Sequence, residues 1–334
     1  MILQKDISLK PFNTFGIDQP AEYFVEVTGA EQLEEVAGLP YHKHVLGGGS
    51  NILLTSPVKG LVLRNSIEGI SVVREDSEHV WLRAAAGEVW HGLVLYAIER
   101  GWGGIENLAR IPGTVGAAPI QNIGAYGVEA RETIEHVTCW HWPDKKFITL
   151  GSNACEFGYR DSVFKHQLKD KVFITSVVFK LSKQPRLNTT YGAIEEELAH
   201  MQVQAPTVQS IAAAVMNIRR SKLPDPAKIG NAGSFFKNPA ISMMQYLALQ
   251  EEHPQIPSYP AAGGLVKVPA GWLIEQCGWK GHRRGETGVH AKQALVLVNY
   301  GHAQGAEIWE LSGEIVRSVQ ERFHIELERE VQVW

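Results

Sequence analysis

The sequence feature that most constrains this chain is a glycine-rich run, residues 111–127, that contains no charged side chain. A segment without charged side chains does not suit a solvated linker, so we expect its backbone to pack against a ligand or against the rest of the protein. Two interpretations fit. Either the backbone wraps against a flat ligand, with Thr114, Gln121 and Asn122 offering hydrogen bonds, or the segment is a buried irregular loop.

A second glycine-rich segment, residues 47–51, follows a short strand pattern and reads Gly-Gly-Gly-Ser-Asn. Backbone N–H groups can form an anion-binding concavity at such a place, although a flexible turn has the same composition. The segment is not a dinucleotide fingerprint, because Ile52 occupies the position of the last glycine in G-x-G-x-x-G. It is not a P-loop either, because no Gly-Lys-Ser/Thr follows.

A third segment, residues 230–239, combines glycines with a hydroxyl, an ammonium and an amide, namely Ser234, Lys237 and Asn238. We predict a loop here, either the floor of a binding site or a turn with a solvated lysine.

A helix is predicted before this loop. It begins at a Thr207 cap and has one apolar stripe, formed by Val208, Ile211, Val215 and Ile218. The cations Arg219 and Lys222 at its end complement the helix dipole, which requires no ligand.

The composition is that of an ordinary globular protein, with 334 residues of which 44% are hydrophobic and 20% charged. The length predicts two or three domains. The net charge of -4 provides no overall field for nucleic acid or an anionic membrane, so we expect neither as a partner. Local cations and backbone amides would have to hold any phosphate-bearing ligand.

Three cysteines without a C-x-x-C pair predict a reducing compartment and no disulfide framework. The histidines show no metal-ligand spacing, so we expect no metal site. The amino terminus lacks the apolar core of a signal peptide, and no apolar run is long enough to span a bilayer. These features predict a soluble, cytoplasmic protein.

The last third of the chain is predicted to mix helices and strands. Residues 241–253 and 303–323 predict helices, the second with five inward side chains, Ile308, Leu311, Ile315, Val319 and Phe323. Residues 325–331 predict a strand with Glu326, Glu328 and Glu330 on one face, an arrangement that usually means exposure to water.

One arginine earlier in the chain stands out from its neighbours. Arg160 lies on a predicted loop between aromatic residues and Asp161. It is solvated, pairs with Asp161, or orients a carboxylate with its two-pronged guanidinium.

Six ordered motifs resemble those of the UDP-N-acetylenolpyruvoylglucosamine reductases, and the resemblance covers nearly the whole chain. The motifs are residues 47–51, 111–127, 159–162, 222–224, 233–239 and 290–294. The segment around Tyr191 is similar to the insertion that marks the type I members of that family.

The resemblance implies an α+β chain with a two-subdomain FAD-binding fold of the vanillyl-alcohol-oxidase (PCMH) type and a C-terminal α+β substrate-binding domain. We accordingly expect FAD-binding subdomains at residues 1–65 and 66–205, the second including the Tyr191 insertion. A substrate-binding domain at 206–325 and a C-terminal strand at 326–334, returning to the active site, complete the expected organisation.

The same resemblance implies non-covalent FAD as cofactor and NADPH as co-substrate. The positions that match FAD contacts are Gly47, Gly48, Gly49, Ser50, Asn51, Gly113, Thr114, Gly116, Ala117, Gln121, Asn122, Gly124, Ala125 and Tyr126.

The implied reaction reduces the enolpyruvyl ether of UDP-N-acetylglucosamine to UDP-N-acetylmuramate for peptidoglycan synthesis, with a monomer as the expected state. Hydride passes from NADPH through FAD to C3, and Ser234 matches the family's proton donor to C2. Arg160 and Glu330 match the residues beside the carboxylate on which negative charge collects. Substrate-contacting positions are matched by Tyr159, Tyr191, Lys222, Asn238, Tyr259 and Gln293.

The sequence departs from the family pattern just before the catalytic glutamate. Arg329 stands where the family often has proline. A flexible residue there could loosen the strand that aims Glu330.

Two other functions are compatible with the fold. Another FAD oxidoreductase is disfavoured by Arg160, Ser234 and Glu330, because an oxidase needs a base for an alcohol rather than an acid for an enol. A flavin or nucleotide-sugar binding protein without catalysis would be favoured if one of these three residues were substituted, and none is.

Overall fold

The structure, a computed structural model, describes all residues from 1 to 334. The chain forms two compact units, each assembled from three separate stretches of sequence. Unit 1 contains Met1–Ile7, Ala21–Gly48 and Lys59–Ser221, and unit 2 contains Ser8–Pro20, Gly49–Val58 and Lys222–Trp334. The predicted division at residues 65, 205 and 325 stays a prediction.

Strands are short and numerous. They are β1 (Gln4–Ser8), β2 (Pro20–Val27), β3 (Lys43–Leu46), β4 (Ile52–Leu53), β5 (Val58–Asn65), β6 (Ile70–Glu75), β7 (His79–Ala85), β8 (Gly124–Ala125), β9 (Val128–Glu129), β10 (Ile134–His141), β11 (Lys146–Gly151), β12 (Val172–Ser182), β13 (Gly230–Ser234), β14 (Ala240–Ile241), β15 (Tyr259–Pro260), β16 (Val266–Lys267), β17 (Arg283–Arg284), β18 (Thr287–Val289), β19 (Val296–Asn299) and β20 (Gln332–Val333).

Seven α-helices accompany them. They are α1 (Gln32–Ala37), α2 (Trp90–Ile98), α3 (Gly192–His200), α4 (Val208–Lys222), α5 (Met243–Glu252), α6 (Ala270–Gln276) and α7 (Gly305–Phe323). None of them combines the length and the apolar character needed to cross a bilayer.

Unit 1 is built on two sheets. One has the strand order β1-β2-β5-β3, and the other is antiparallel with the order β11-β10-β12-β7-β6. The predicted stripe of α4 is confirmed, because all four of its apolar side chains are buried in the core formed with β7, β10 and β12. The predicted cap is also present, since Thr207 Oγ1 accepts a hydrogen bond from the Ser210 backbone N–H at 3.1 Å.

Unit 2 is built on an antiparallel sheet of order β13-β19-β18-β17, against which α7 packs. The five predicted inward side chains of α7 are all buried, so this prediction is confirmed. A capping box between Gln304 and Glu307 starts the helix, and His324 ends it with a left-handed φ of 55°. A smaller sheet has the order β14-β16-β15, and β20 runs parallel to β4.

The prediction of a loop over residues 230–239 is wrong in its first half. Gly230–Ser234 forms strand β13, which pairs with β19 and has an irregularity between Asn231 and Ser234. Glycine weakens strands, so its presence favoured a turn. The glycine at 230 is needed because a Cβ atom there would lie 2.2 Å from the Phe15 carbonyl oxygen.

Two predicted elements near the end of the chain are shorter in the structure. The helix over residues 241–253 begins only at Met243, because Ile241 pairs in β14 and Ser242 caps α5. The strand over residues 325–331 is reduced to a single bridge between Phe236 and Arg329. Alternation nevertheless holds there, with Leu327 and Val331 buried and Glu328 exposed.

Candidate functional site

Two of the glycine-rich segments lie against each other in unit 1. A Cβ atom on Gly47 would be 2.6 Å from Thr114 Oγ1, and one on Gly48 would be 2.8 Å from Gly113 Cα. These separations are too short for a Cβ atom, so neither position accepts a side chain unless the backbone moves. The glycines therefore allow two loop backbones to approach each other, a contact that neither segment predicts alone.

The loop at Gly113 is hydrogen-bonded to the start of α2 and to the residues just before that helix. The Gly113 carbonyl accepts a hydrogen bond from Trp90 N, and the Gly116 N–H donates to the Ala86 carbonyl at 2.9 Å. Within this fastened loop, Thr114 Oγ1 is buried and has no hydrogen-bond partner. A buried hydroxyl without a partner is costly, so Thr114 is available to a ligand. Ala117 follows in a single 3-10 turn and is partly exposed.

Asn122 is the internal support of the uncharged loop. Asn122 is fully buried and has a left-handed φ of 43°. Its Nδ2 atom donates to Glu129 Oε2 and to the Gly158 carbonyl, both at 2.9 Å, while its Oδ1 atom accepts from Arg131 N. Both amide hydrogens are thus used inside the protein, so this side chain holds the loop to the segment that carries Arg160.

The loop ends in a two-residue hairpin between β8 and β9. Tyr126 and Gly127 both have positive φ, 49° and 79°, as a type I′ turn requires. Gly124 and Ala125 form β8, so their backbone conformation is set by the hairpin.

Arg160 is aimed by the carbonyl groups of this loop. Its Nη2 atom donates to the Gly124 carbonyl at 2.5 Å, and its Nη1 atom donates to the Asn122 carbonyl at 3.4 Å. The residue itself has a left-handed φ of 54°, which is unusual for a side chain this large. Strained backbone of this kind is concentrated at functional sites. The neighbouring acid, Asp161, pairs with His166 at 2.8 Å.

Arg219 is a residue whose role the sequence analysis missed. Its Nε atom donates to the Arg110 carbonyl at 3.2 Å, and its guanidinium interacts electrostatically with Tyr126. Burial lowers the pKa of Arg219, and no carboxylate contributes to raising that pKa. The signal was present in the sequence: Arg219 follows Val215 by four residues and so lies on the buried face of α4.

The predicted substrate positions of unit 1 are both aromatic. The Tyr159 ring centroid lies 5.3 Å from the guanidinium carbon of Arg160. The Tyr191 ring packs edge-on against Tyr126, with centroids 5.3 Å apart, and is 41% exposed. The insertion therefore adds an aromatic ring beside the hairpin.

Ser234 is presented at the irregular end of β13. Asn231 is buried, donates to the Ile229 carbonyl at 2.9 Å and accepts from the Gly233 N–H at 3.0 Å. Gly233 has a left-handed φ of 71°, which a side chain would disfavour. The Ser234 side chain is exposed, and its hydroxyl forms no hydrogen bond within unit 2. The bulge therefore exposes a hydroxyl group that makes no hydrogen bond in support of the fold of unit 2.

The residues after Ser234 position Glu330. The Glu330 N–H donates to the Phe235 carbonyl at 2.8 Å, and the Lys237 N–H donates to the Glu328 carbonyl at 2.9 Å. Lys237 Nζ also pairs with the Glu328 carboxylate. Backbone pairing therefore brings two of the three predicted catalytic residues, Ser234 and Glu330, to neighbouring positions although they are far apart in sequence.

The end of the glycine-rich segment 47–51 also belongs to this part of unit 2. Asn51 Nδ2 donates to the Glu330 carbonyl at 3.3 Å, and the Asn51 carbonyl accepts from Gln332 N at 3.0 Å. Gly49 has a φ of 60°, and a Cβ atom on it would lie 1.9 Å from the Phe12 carbonyl oxygen. Ser50 between them is partly exposed.

The predicted substrate positions of unit 2 comprise two exposed and two anchored side chains. Lys222 and Tyr259 are exposed. Asn238 Oδ1 accepts a hydrogen bond from the first N–H of α6 at 2.9 Å, and Gln293 Oε1 accepts one from a backbone N–H two residues later at 3.4 Å. The amide nitrogen of Asn238 forms no hydrogen bond within unit 2.

Comparison with known proteins supplies the family. A model of the C-terminal domain of UDP-N-acetylenolpyruvoylglucosamine reductase matches residues 225–334, and a model of an FAD binding domain matches residues 21–151. The reductase of Chromobacterium violaceum is 48% identical over 330 residues, covering 97% of both chains. That of Flavobacterium johnsoniae is 45% identical over the full length of both.

The chain belongs to the UDP-N-acetylenolpyruvoylglucosamine reductase family. A crystal structure of the family's enzyme from Thermus caldophilus also covers 100% of both chains, with a TM-score of 0.70 and 27% identity. The predicted fold class, the FAD cofactor and the oxidoreductase activity are confirmed. The roles of individual residues stay predictions.

The residues of unit 1 fit FAD. Gly47 and Gly48 allow the loop at Gly113 and Thr114 to pack directly against them, and Thr114 Oγ1 is a buried polar atom without a partner. Asn107 Oδ1 is a second such atom nearby in sequence. Glycine backbone and neutral donors of this kind suit a flat, diphosphate-bearing cofactor.

The two buried cysteines are not activated as nucleophiles. All three thiols are free, and Cys139 and Cys155 are buried. Burial raises the pKa of Cys139 to about 12 and that of Cys155 to about 11. Both stay protonated at neutral pH and are therefore poor nucleophiles. No cluster of metal-ligating side chains is present in residues 1–334.

A substitution of Gly48 tests whether the close packing of these two loops is needed to bind FAD. Gly48→Ala should reduce the FAD content of purified protein at least roughly tenfold, because the new Cβ atom would clash with Gly113 Cα. A loss of about 1.4 kcal/mol in the free energy of FAD binding already lowers the affinity tenfold. The ratio of flavin to protein absorbance after gel filtration measures this. Gly151→Ala is the control, since a Cβ atom there has no neighbour within 4 Å. Equal FAD content in the two variants would contradict the assignment.

Proposed function

We propose that this chain reduces the enolpyruvyl ether of UDP-N-acetylglucosamine to UDP-N-acetylmuramate, using electrons from NADPH, in peptidoglycan precursor synthesis. The proposal is supported by the family membership and by one observation above all. That observation is the Ser234 hydroxyl, which the bulge of β13 displays without giving it any hydrogen bond within unit 2. The expected cytoplasmic location and monomeric state are part of the proposal.

FAD, which Gly47, Gly48 and Thr114 would help to hold, would supply the hydride chemistry that links NADPH to C3 of the enol ether. Hydride addition at C3 leaves an electron pair at C2, in conjugation with the carboxylate. Ser234 Oγ donates its proton to C2 and completes the reduction. A serine hydroxyl is a weak acid, so a nearby cation has to stabilise the alkoxide that remains. Lys222, an exposed cation at the end of α4, is the residue we assign to this task.

Arg160 has the task of holding the substrate carboxylate. Its guanidinium is fixed by the Gly124 and Asn122 carbonyls, so little reorganisation is needed when negative charge develops. The interaction is stronger with the charge-rich intermediate than with the substrate, which makes it catalytic. Glu330 is assigned to the same charge-stabilising set.

The proposal also assigns the remaining contacts. Tyr159, Tyr191, Asn238, Tyr259 and Gln293 bind the sugar nucleotide. Among these, Tyr191 and Tyr259 offer exposed rings, 41% and 48% exposed, for stacking or phosphate contact.

An anaerobic titration tests the function. NADPH should bleach the bound flavin, and the enolpyruvyl ether of UDP-N-acetylglucosamine should restore its absorbance in a one-to-one ratio. UDP-N-acetylglucosamine without the enolpyruvyl group is the control and should restore nothing. Reoxidation by the control, or by neither compound, would refute the proposed substrate.

A further inference from the structure

The residue before Glu330 is anchored to the long helix of unit 2. Arg329 Nε donates a hydrogen bond to Ser312 Oγ at 2.8 Å, and its guanidinium carbon lies 4.1 Å from the Trp309 ring centroid. Both partners are on α7. Ser312 is fully buried, and its own hydroxyl donates to the Trp309 carbonyl at 2.6 Å. A fixed acceptor and a flat ring thus hold the planar guanidinium in one place.

The backbone at this point leaves the N–H of residue 329 outside the ladder. Arg329 pairs with Phe236, and the hydrogen bonds of that pair are made by the neighbouring N–H groups of Lys237 and Glu330. Arg329 is therefore in a non-hydrogen-bonded pair, where a proline would also be tolerated. This explains how both residue types can occupy the position without disturbing the pairing.

Alternation couples the direction of Arg329 to that of Glu330. In the extended segment, Leu327, Arg329 and Val331 share one face, and Leu327 and Val331 are buried on it. Glu328 and Glu330 share the opposite face, where Glu328 pairs with Lys237. A rotation of the segment about its axis would move both faces together, so fixing the Arg329 side chain on α7 also fixes the direction of Glu330.

We propose that Arg329 is a positioning residue that aims Glu330 by its attachment to Ser312 and Trp309 of α7. The proposal rests on the proposed function, in which Glu330 acts on the substrate. It also reverses the expectation that a residue other than proline would loosen this strand, because the side-chain anchor supplies the stiffness that a fixed φ would otherwise provide.

A double-mutant cycle in the FAD-loaded protein separates positioning from general structural damage. Arg329→Ala should slow reoxidation by the enolpyruvyl substrate roughly 10- to 100-fold, because small displacements of a catalytic group cost rates of that order. Reduction by NADPH should stay within about twofold of wild type in the same variant. In a Glu330→Gln background, Arg329→Ala should cost almost nothing further, since the residue it positions has already lost its function.

Two further variants separate the loss of the hydrogen bond to Ser312 from poor folding and from the loss of any arginine on α7. Arg329→Met keeps the apolar cover on Trp309 but lacks the donor to Ser312, so it should show the same pattern if Arg329→Ala folds poorly. Arg317→Ala, an exposed arginine on α7 without a hydrogen bond or ion pair within unit 2, should behave as wild type.

The outcomes distinguish the two proposals. Equal losses from Arg329→Ala in the wild-type and Glu330→Gln backgrounds, or wild-type reoxidation by both Arg329 variants, would overturn the positioning role while leaving the proposed function intact. Wild-type protein that NADPH bleaches but the enolpyruvyl substrate cannot reoxidise would instead overturn the proposed function.

Discussion

Replacing Ser234 with alanine should leave reduction of the flavin by NADPH nearly intact and slow reoxidation by the enolpyruvyl substrate by several orders of magnitude. The expected loss exceeds the roughly 10²–10⁴-fold typical of a general acid, because no other hydroxyl of the bulge can replace this one. The substitution should not disturb folding, since the Ser234 hydroxyl is exposed and has no hydrogen bond within unit 2. Stopped-flow absorbance of the flavin measures the two half-reactions separately.

The control for this experiment is a serine of similar exposure. Ser71 on the edge strand β6 is exposed and is not used in a side-chain hydrogen bond within unit 1. Ser71→Ala should leave both half-reactions unchanged. If Ser234→Ala slowed both half-reactions equally, Ser234 would be structural and its assignment as proton donor would be wrong.

Arg160→Lys should slow reoxidation by about 10²–10³-fold, the range seen when one donor to a developing oxyanion is removed. The guanidinium can donate to the Gly124 and Asn122 carbonyls and still present N–H groups to a carboxylate. A lysine has one nitrogen and cannot do both, although it preserves the charge. The same stopped-flow measurement applies, and reduction by NADPH should change little.

Arg100→Lys provides a matched control. Arg100 also donates to a carbonyl, that of Tyr96 at 2.9 Å, and its guanidinium carbon lies 3.6 Å from the centroid of the Tyr96 ring. It belongs to no predicted site, so its replacement should leave turnover at the wild-type level. Wild-type turnover in Arg160→Lys as well would remove Arg160 from the chemistry.

Elements with a regular apolar period could be predicted from the sequence. The stripes of α4 and α7 were identified residue by residue, because a helix face is determined by neighbours three and four positions away. Residues 47–51 and 111–127 predicted a backbone that contacts a ligand, or else a flexible turn and a buried irregular loop. What they approach was not predicted: Gly48 meets Gly113, and this contact depends on where two distant segments of the chain come together.

The candidate site was predictable only in part, for the same reason. Ordered motifs were sufficient to identify the family and the cofactor, and they gave Arg160, Ser234 and Glu330 as candidates. They did not predict that Asn122 uses both amide hydrogens to support the loop, or that Arg219 donates a hydrogen bond to the Arg110 carbonyl. Such contacts link residues that are remote in sequence, so no local pattern encodes them.

By itself, the sequence determined the buried faces of α4 and α7 and the kind of chemistry, since each follows from local periodicity or from the order of short motifs. Only the tertiary structure decided that Gly230–Ser234 is a strand and that Arg329 stiffens the segment before Glu330. The sequence of β13, with glycine at both Gly230 and Gly233, has little strand preference of its own, so its conformation depends on the hydrogen bonds to β19. The direction of Glu330 likewise comes from α7, a helix that the chain completes before it reaches that residue.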